Sequence, residues 1–262
     1  MLLTIRNVRP AQGLSFGSFA DDYDRGRPGW PPSMLDGVLA ETVLDLAAGT
    51  GKLTALLVQH YATVVAVEPS DQMRAVLARN VPAATPSPGS AEDIPLDRAS
   101  VDAVFVAEAF HWFDSEKAAT EIQRVLRPGG SLVVSFNEWA SGFEPGLTAE
   151  ARQILQEVRA DLPAPGGPLL ATGAWRTGLG AFEPLQELTV DHEWLTDSCG
   201  VVSYYTSISS MGALEPGART ELRERLLELM PTTAHRLQLT ARVYRGSAPT
   251  SDLADQRPRR PT

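Results

Sequence analysis

The stretch Val43-Leu44-Asp45-Leu46-Ala47-Ala48-Gly49-Thr50-Gly51-Lys52-Leu53-Thr54 constrains this chain more than any other. Its apolar start and aspartate read as the end of a buried parallel strand. Small residues follow, and then Leu53, Leu56 and Leu57 recur on one helical face. A strand that breaks into a Gly-rich turn and enters a helix is the nucleotide-cradling unit of open α/β sheets. Glycine suits such a turn because it takes φ > 0 freely and brings no Cβ between backbone and ligand. A P-loop would need Gly, four residues, then Gly-Lys-Ser/Thr. Here Leu46 stands at the first position and Leu53 at the last, so that reading fails twice. A dinucleotide fingerprint would need a third glycine where Thr54 stands, which weakens a nicotinamide reading.

A second strand, Val64-Val65-Ala66-Val67, ends in Glu68. Its distance from Gly51 is close to the roughly 20 residues expected of a carboxylate that binds a ribose diol. Both a nicotinamide dinucleotide and S-adenosylmethionine carry that diol, so Glu68 alone does not choose between them.

Five segments, in order, resemble the class I S-adenosylmethionine-dependent methyltransferases. They are Asp45 to Gly51, Val67-Glu68-Pro69-Ser70, Gly89-Ser90-Ala91-Glu92, Ala109-Phe110-His111-Trp112-Phe113 and Leu126-Arg127-Pro128-Gly129-Gly130. The likeness is greatest to the small-molecule branch with a trans-aconitate-methyltransferase-like amino terminus, and spans roughly residues 16 to 137. It implies a doubly wound, mostly parallel seven-stranded α/β sheet in the order 3-2-1-4-5-7-6, the last strand antiparallel. It also implies S-adenosylmethionine as cofactor, held by Asp45, Ala47, Gly49, Gly51, Glu68 and Ala107. In the family, a Tyr-x-x-x-Arg-Pro segment folds over the donor, so Tyr23 and Arg27 would reach the methionine carboxylate. An ordinary amphipathic helix with Phe16, Phe19, Ala20 and Tyr23 on one face is the other reading of that segment. Ser90, Ala91 and Glu92 would meet adenine; Ser90 stands where an aspartate is frequent, so Glu92 or Asp93 are alternative acceptors. Met73 either touches adenine or packs in the core. Ala47 replaces the first glycine of the usual cradle, which predicts a tight fit.

His111 is the candidate proton acceptor, by its place after strand four. The competing reading is a histidine bound to backbone that braces the pocket. Methylators of nucleobase amines carry Asn/Asp-Pro-Pro-aromatic at that point; Ala107-Glu108-Ala109-Phe110 is different. The net charge of −9 and the lack of a basic stripe likewise argue against nucleic acid. The expected substrate is a small molecule, methylated on oxygen or nitrogen. A repurposed donor-binding protein and an NAD-dependent oxidoreductase are the rival readings. Four histidines and one cysteine show no metal-ligand spacing. Cys199 alone forms no intrachain disulfide, and no apolar run approaches the roughly 18 residues of a membrane span, so a cytoplasmic protein is expected.

Periodicity and turn residues predict helices over 31–41, 52–60, 116–126 and 148–162, with further helices from Val201 and over 219–229. Strands are predicted at 84–89, 101–106, 131–136, 187–194 and 237–244. One domain over 1–246 is expected, with 139–185 inserted as a lid and 247–262 as a disordered tail.

Overall fold

A computed structural model describes residues 19–140, 145–162, 172–182 and 184–250. Phe16 and residues 251–262 of the expected tail lie outside the described residues, as do parts of the expected lid. The strands are β1 (Thr42–Leu46), β2 (Thr63–Val67), β3 (Thr85–Ser87), β4 (Val101–Ala107), β5 (Leu126–Trp139), β6 (Gln186–Asp197) and β7 (Ala234–Ser247). They form one seven-stranded sheet in the order β3-β2-β1-β4-β5-β7-β6. The pairs from β3 through β5 are parallel, and β7 runs antiparallel to both β5 and β6. The topology inferred from the family resemblance is therefore the observed one.

The chemistry of each strand explains its place. Val43, Leu44 and Leu46 of β1 are buried, as a near-continuous apolar run between two helical layers must be. β3 contains Pro86, which lacks the N–H for a second ladder, and it takes the sheet edge. β6 alternates between more and less exposed positions from Glu187 to Asp197, as befits the other edge. On one face of the sheet, Val104, Val106, Ile122, Phe110 and Phe136 share a core with Trp175; on the other, Phe105 and Val243 pack with Met34 and Leu57.

The helices are α1 (Ala20–Gly26), α2 (Thr54–Leu57), α3 (Asp71–Asn80), α4 (Ser115–Val125), α5 (Ala149–Arg159), α6 (Ser198–Thr206) and α7 (Pro216–Glu228). α3 and α4 begin on side-chain caps: Ser70 accepts from the Met73 N–H, and Asp114 from the Lys117 N–H. Two expectations are corrected. Residues 31–41 form only a short 3-10 turn, Pro32–Leu35, because Gly37 turns the chain at φ +82°. The first crossover helix is the single turn α2, continued by looser turn bonds as far as the Tyr61 N–H on the Leu57 carbonyl. Past Ser247, the Ala248 N–H still donates to the Gly130 carbonyl at 2.8 Å.

The described residues between 139 and 185 divide between two places. Leu147, Ala151 and Leu155 join α6 and α7 in a separate apolar cluster that rests on Trp194, Leu237 and Leu239 at the ends of β6 and β7. Trp175, Leu179 and Phe182 instead pack into the main core beside α4. α1 docks against the helical cluster: Arg25 pairs with Asp197 at 2.9 Å and Asp22 with Arg223 at 3.4 Å. The docking is close because residue 26 is glycine. A Cβ there would lie 2.4 Å from the Tyr204 nitrogen and 2.5 Å from the Ser203 carbonyl carbon, both backbone atoms that cannot rotate away.

Gly26→Ala should therefore lower stability by about 1–3 kcal/mol, the usual cost of overpacking. Chemical denaturation checks this; an unchanged midpoint would contradict the close docking of α1 on α6.

Candidate functional site

The carboxyl ends of β1, β2 and β4 meet below α1 and the helical cluster. After β1 the chain enters the left-handed region three times, at Ala47 (φ +58°), Gly49 (φ +57°) and Gly51 (φ +89°). This accounts for the glycines. It also means that Ala47 sits where a Cβ is disfavoured, a local strain of the kind that gathers at functional sites. The turn is clamped from the next strand. One oxygen of Glu68 accepts the Gly49 N–H at 3.0 Å, and the other accepts the Ser70 N–H at 2.9 Å. Glu68 is buried, which raises its pKa, although both N–H donors and Arg74 pull the other way.

Two cavities open on this turn. The outer one, about 380 Å³, is lined by Glu68, Ser70 and Met73, by Ser90, Ala91 and Glu92, and by Trp112 and Phe113. The inner one, about 250 Å³, is lined by Arg27, Asp45, Lys52, His111, Asn137 and Tyr204. Tyr23, Ala47, Gly49, Ala107, Glu108 and Trp112 line both, so they mark the passage between the two.

The inner cavity brings opposite charges together. Asp45 is buried and accepts the Thr54 hydroxyl at 2.6 Å. Burial pushes its pKa up to about 7; the Thr54 bond opposes this and the Glu68 charge adds to it. A cation placed beside Asp45 would restore its charge. The Arg27 guanidinium lies 4.3 Å from the Tyr23 ring centre and 5.0 Å from that of Tyr204, and donates to the Ser207 carbonyl at 3.0 Å. Lys52 pairs with Asp24 at 3.1 Å. Glu108 has a left-handed backbone (φ +56°) fixed by its N–H to the Ser135 carbonyl at 2.9 Å; its carboxylate accepts the Asn137 N–H at 2.6 Å. Burial pushes this carboxyl up to about 7 as well, opposed by Asn137 and Arg27.

His111 lies on the 3-10 turn Phe110–Trp112 that follows β4. It is buried, its ring centre is 4.8 Å from Trp112 and 5.7 Å from Phe136, and its Nδ1 has no hydrogen-bond partner among the described residues. Burial pushes its pKa down to about 4, so it is neutral near pH 7.

Of the residues singled out from sequence, Glu68, Met73, Ser90, Ala91 and Glu92 line the outer cavity. Arg27, Asp45 and His111 line the inner one, and Tyr23, Ala47, Gly49 and Ala107 line both. Asp93, the alternative acceptor, is not among the lining residues. Nor is Gly51, expected to touch the cofactor; at φ +89° it turns the chain, and a Cβ on it would meet the Leu77 side chain at 3.0 Å. Sequence reasoning missed Thr54, Glu108 and Asn137. For Thr54 a signal existed, since it sits one helical turn into the cradle; for the other two none did.

The site fits an adenosine-bearing amino acid. A carboxylate at the outer cavity suits a diol, and an acid and an arginine that both line the inner one suit a zwitterion. Among the described residues, no cluster of three or more His, Cys, Asp or Glu has metal-ligand geometry, and no helix is long and apolar enough to cross a membrane.

Residues 44–134 match the family described as a methyltransferase domain. An uncharacterized methyltransferase of Mycobacterium tuberculosis is 51% identical over 132 residues, 49% of this chain and 54% of the relative. The chain thus spans about half the length of that relative. A malonyl-[acyl-carrier protein] O-methyltransferase of Herminiimonas arsenicoxydans is 30% identical over 188 residues, 71% of this chain and 68% of the relative. Among solved structures, one from Anaeromyxobacter dehalogenans, provisionally described as a type II methyltransferase, superposes with a TM-score of 0.58 at 24% identity, covering 86% of this chain and 98% of the other. That likeness shows the fold.

Because its folded-state pKa lies below the unfolded value of 6.5, His111 adds stability above about pH 6.5 that is lost as the pH falls toward 4. Its imidazole resonances should stay those of a neutral ring from pH 8 to pH 5. Nuclear magnetic resonance titration checks this, and a midpoint near 6.5 would contradict the burial.

Proposed function

We propose that this chain, which belongs to the class I S-adenosylmethionine-dependent methyltransferases, moves a methyl group to an oxygen or nitrogen of a small molecule. S-Adenosylmethionine is the cofactor, and when bound it supplies an electrophilic methyl on a sulfonium. The observation that carries the reading is the pair of joined cavities at the carboxyl ends of β1, β2 and β4, with a buried carboxylate in each.

The proposed roles follow from the donors and acceptors. Glu68 accepts from the ribose hydroxyls while still holding the turn. Asp45 faces the ammonium end and Arg27 the carboxylate end. Ser90, Ala91 and Glu92 meet the adenine edge, and Met73 gives that pocket an apolar wall. Ala47, Gly49 and Ala107 let the backbone come close, and Tyr23 covers the passage. The chain's main contribution is positioning, which is worth roughly 7–11 kcal/mol when reacting atoms are well aligned.

His111 is proposed to accept the hydrogen bond of the substrate's nucleophile. As a neutral ring with a partnerless buried nitrogen, it has an acceptor to offer at pH 7. The size of the inner cavity and the −9 charge of the chain support a small substrate over nucleic acid. The relative from Herminiimonas is named an O-methyltransferase, which favours oxygen as the accepting atom.

The test is a screen of small alcohols, phenols, amines and carboxylic acids with S-adenosylmethionine. Stoichiometric S-adenosylhomocysteine and methylated product are expected from at least one class; binding of the donor with no turnover across the screen would favour a repurposed binding protein. With the acceptor found, His111→Ala should lower kcat about a hundredfold, with little change in calorimetric affinity for S-adenosylhomocysteine. Equal loss of both would reject the role.

A further inference from the structure

Six residues mark the passage between the cavities: Tyr23, Ala47, Gly49, Ala107, Glu108 and Trp112. Glu108 is the sole carboxylate among them. A ligand with its adenosine in the outer cavity and its amino acid in the inner one must thread the atom that joins them through this passage. In the proposed donor that atom is the cationic sulfur. From this placement we infer that Glu108 is the counter-charge to the donor's sulfonium, so that the site prefers a cation at the passage over the neutral thioether left after transfer. This rests on the function proposed above and adds to it a residue that sets which form of the cofactor is held.

The backbone shows how deliberately Glu108 is placed. A non-glycine residue at φ +56° occupies a sparsely populated region, and it persists only where its surroundings enforce it. Here the enforcing bonds are the Glu108 N–H to the Ser135 carbonyl and the Asn137 N–H to the Glu108 carboxylate. The second bond uses one lone pair of a group that offers about four, so the carboxylate keeps capacity for a ligand. Its position at the carboxyl end of β4 is where open α/β sheets present side chains to ligands.

The electrostatics point the same way. Arg27, Glu138 and Tyr204 are the charged or titratable groups that interact with Glu108, and Asp45, Lys52, Tyr23 and His111 share its cavity. In the proposed complex Arg27 turns to the ligand's carboxylate and Asp45 to its ammonium. Glu108 is then left facing the third ligand charge, the sulfonium. Once the methyl has gone that charge is gone too, and the attraction that held the donor no longer holds the product.

Titration calorimetry with S-adenosylmethionine, sinefungin and S-adenosylhomocysteine tests this without turnover. Sinefungin carries an ammonium-bearing carbon where the donor has sulfur. The runs belong at pH 8, above the value of about 7 to which burial brings Glu108. The wild-type protein should bind both cationic ligands at least about tenfold more tightly than the thioether, an electrostatic preference of a size that a partly enclosed ion pair supplies. Glu108→Gln keeps an acceptor for the Asn137 N–H, and should bring the three affinities within about twofold of one another while leaving the thioether's nearly unchanged. Glu108→Asp, which retains the charge, should retain part of the preference. A wild-type protein with no preference for the cations overturns the inference without any variant. So does a Glu108→Gln protein whose preference is intact, or one that loses all three ligands equally. Failure of the wild-type protein to bind any of the three would instead overturn the methyltransferase reading itself.

Discussion

The site depends on one interaction: the Glu68 carboxylate joining two backbone N–H groups, those of Gly49 and Ser70. A carboxylate buried in this way is costly to charge unless it is hydrogen-bonded. Its two donors satisfy that need, and in doing so they tie the turn after β1 to the start of α3. The turn is strained, with Ala47, Gly49 and Gly51 all at positive φ. Neighbouring parallel strands place these groups within reach, since Leu46 of β1 is in register with Val67 of β2. The clamp and the cavity are one piece of structure, because the carboxylate that holds the turn also lines the space into which a ligand's hydroxyls would come.

A second layer is built on this base. β4 ends beside the same turn and delivers Ala107, Glu108 and His111 within five residues. α1 closes over the top, held to α6 by the close approach at Gly26 and by ion pairs from Arg25 to Asp197 at the end of β6 and from Asp22 to Arg223 of α7. These exposed pairs are worth little individually; the backbone contact at Gly26 and the aromatic stack of Tyr23, Arg27 and Tyr204 set the geometry. The result is a site whose floor comes from the sheet and whose roof comes from elements far away in sequence.

Floor and roof were not equally legible. Val43 to Leu46 and Val101 to Val106 are runs that are apolar but for one aspartate each and are bounded by turn residues, so β1 and β4 stand out, and Glu68 follows from its distance to the glycines. Pro86 foretells an edge strand. Thr54, Glu108 and Asn137 were hidden for different reasons. Thr54 had a signal in its place just after the cradle, but its role shows only when its hydroxyl is seen to reach Asp45. Glu108 is notable for its backbone conformation, and nothing about a glutamate between two alanines announces a positive φ. Asn137 matters through a backbone N–H, which every residue but proline possesses. That Leu147 to Leu155 and Trp175 to Phe182 pack into different cores was not legible, because tertiary packing, not local pattern, sends them there. The close approach of Gly51 to Leu77, 26 positions further along, was likewise hidden, because the spacing within the motif carries no trace of that contact.

The central claim is that the Glu68 clamp is also the grip on an adenosine-bearing cofactor. A crystal structure of the protein with S-adenosylhomocysteine tests it most directly. The account predicts ribose hydroxyls within hydrogen-bonding distance of the Glu68 carboxylate, adenine beside Ser90 to Glu92, and the amino acid end between Asp45 and Arg27. A ligand seated elsewhere, or one in these cavities whose ribose leaves Glu68 untouched, would contradict it.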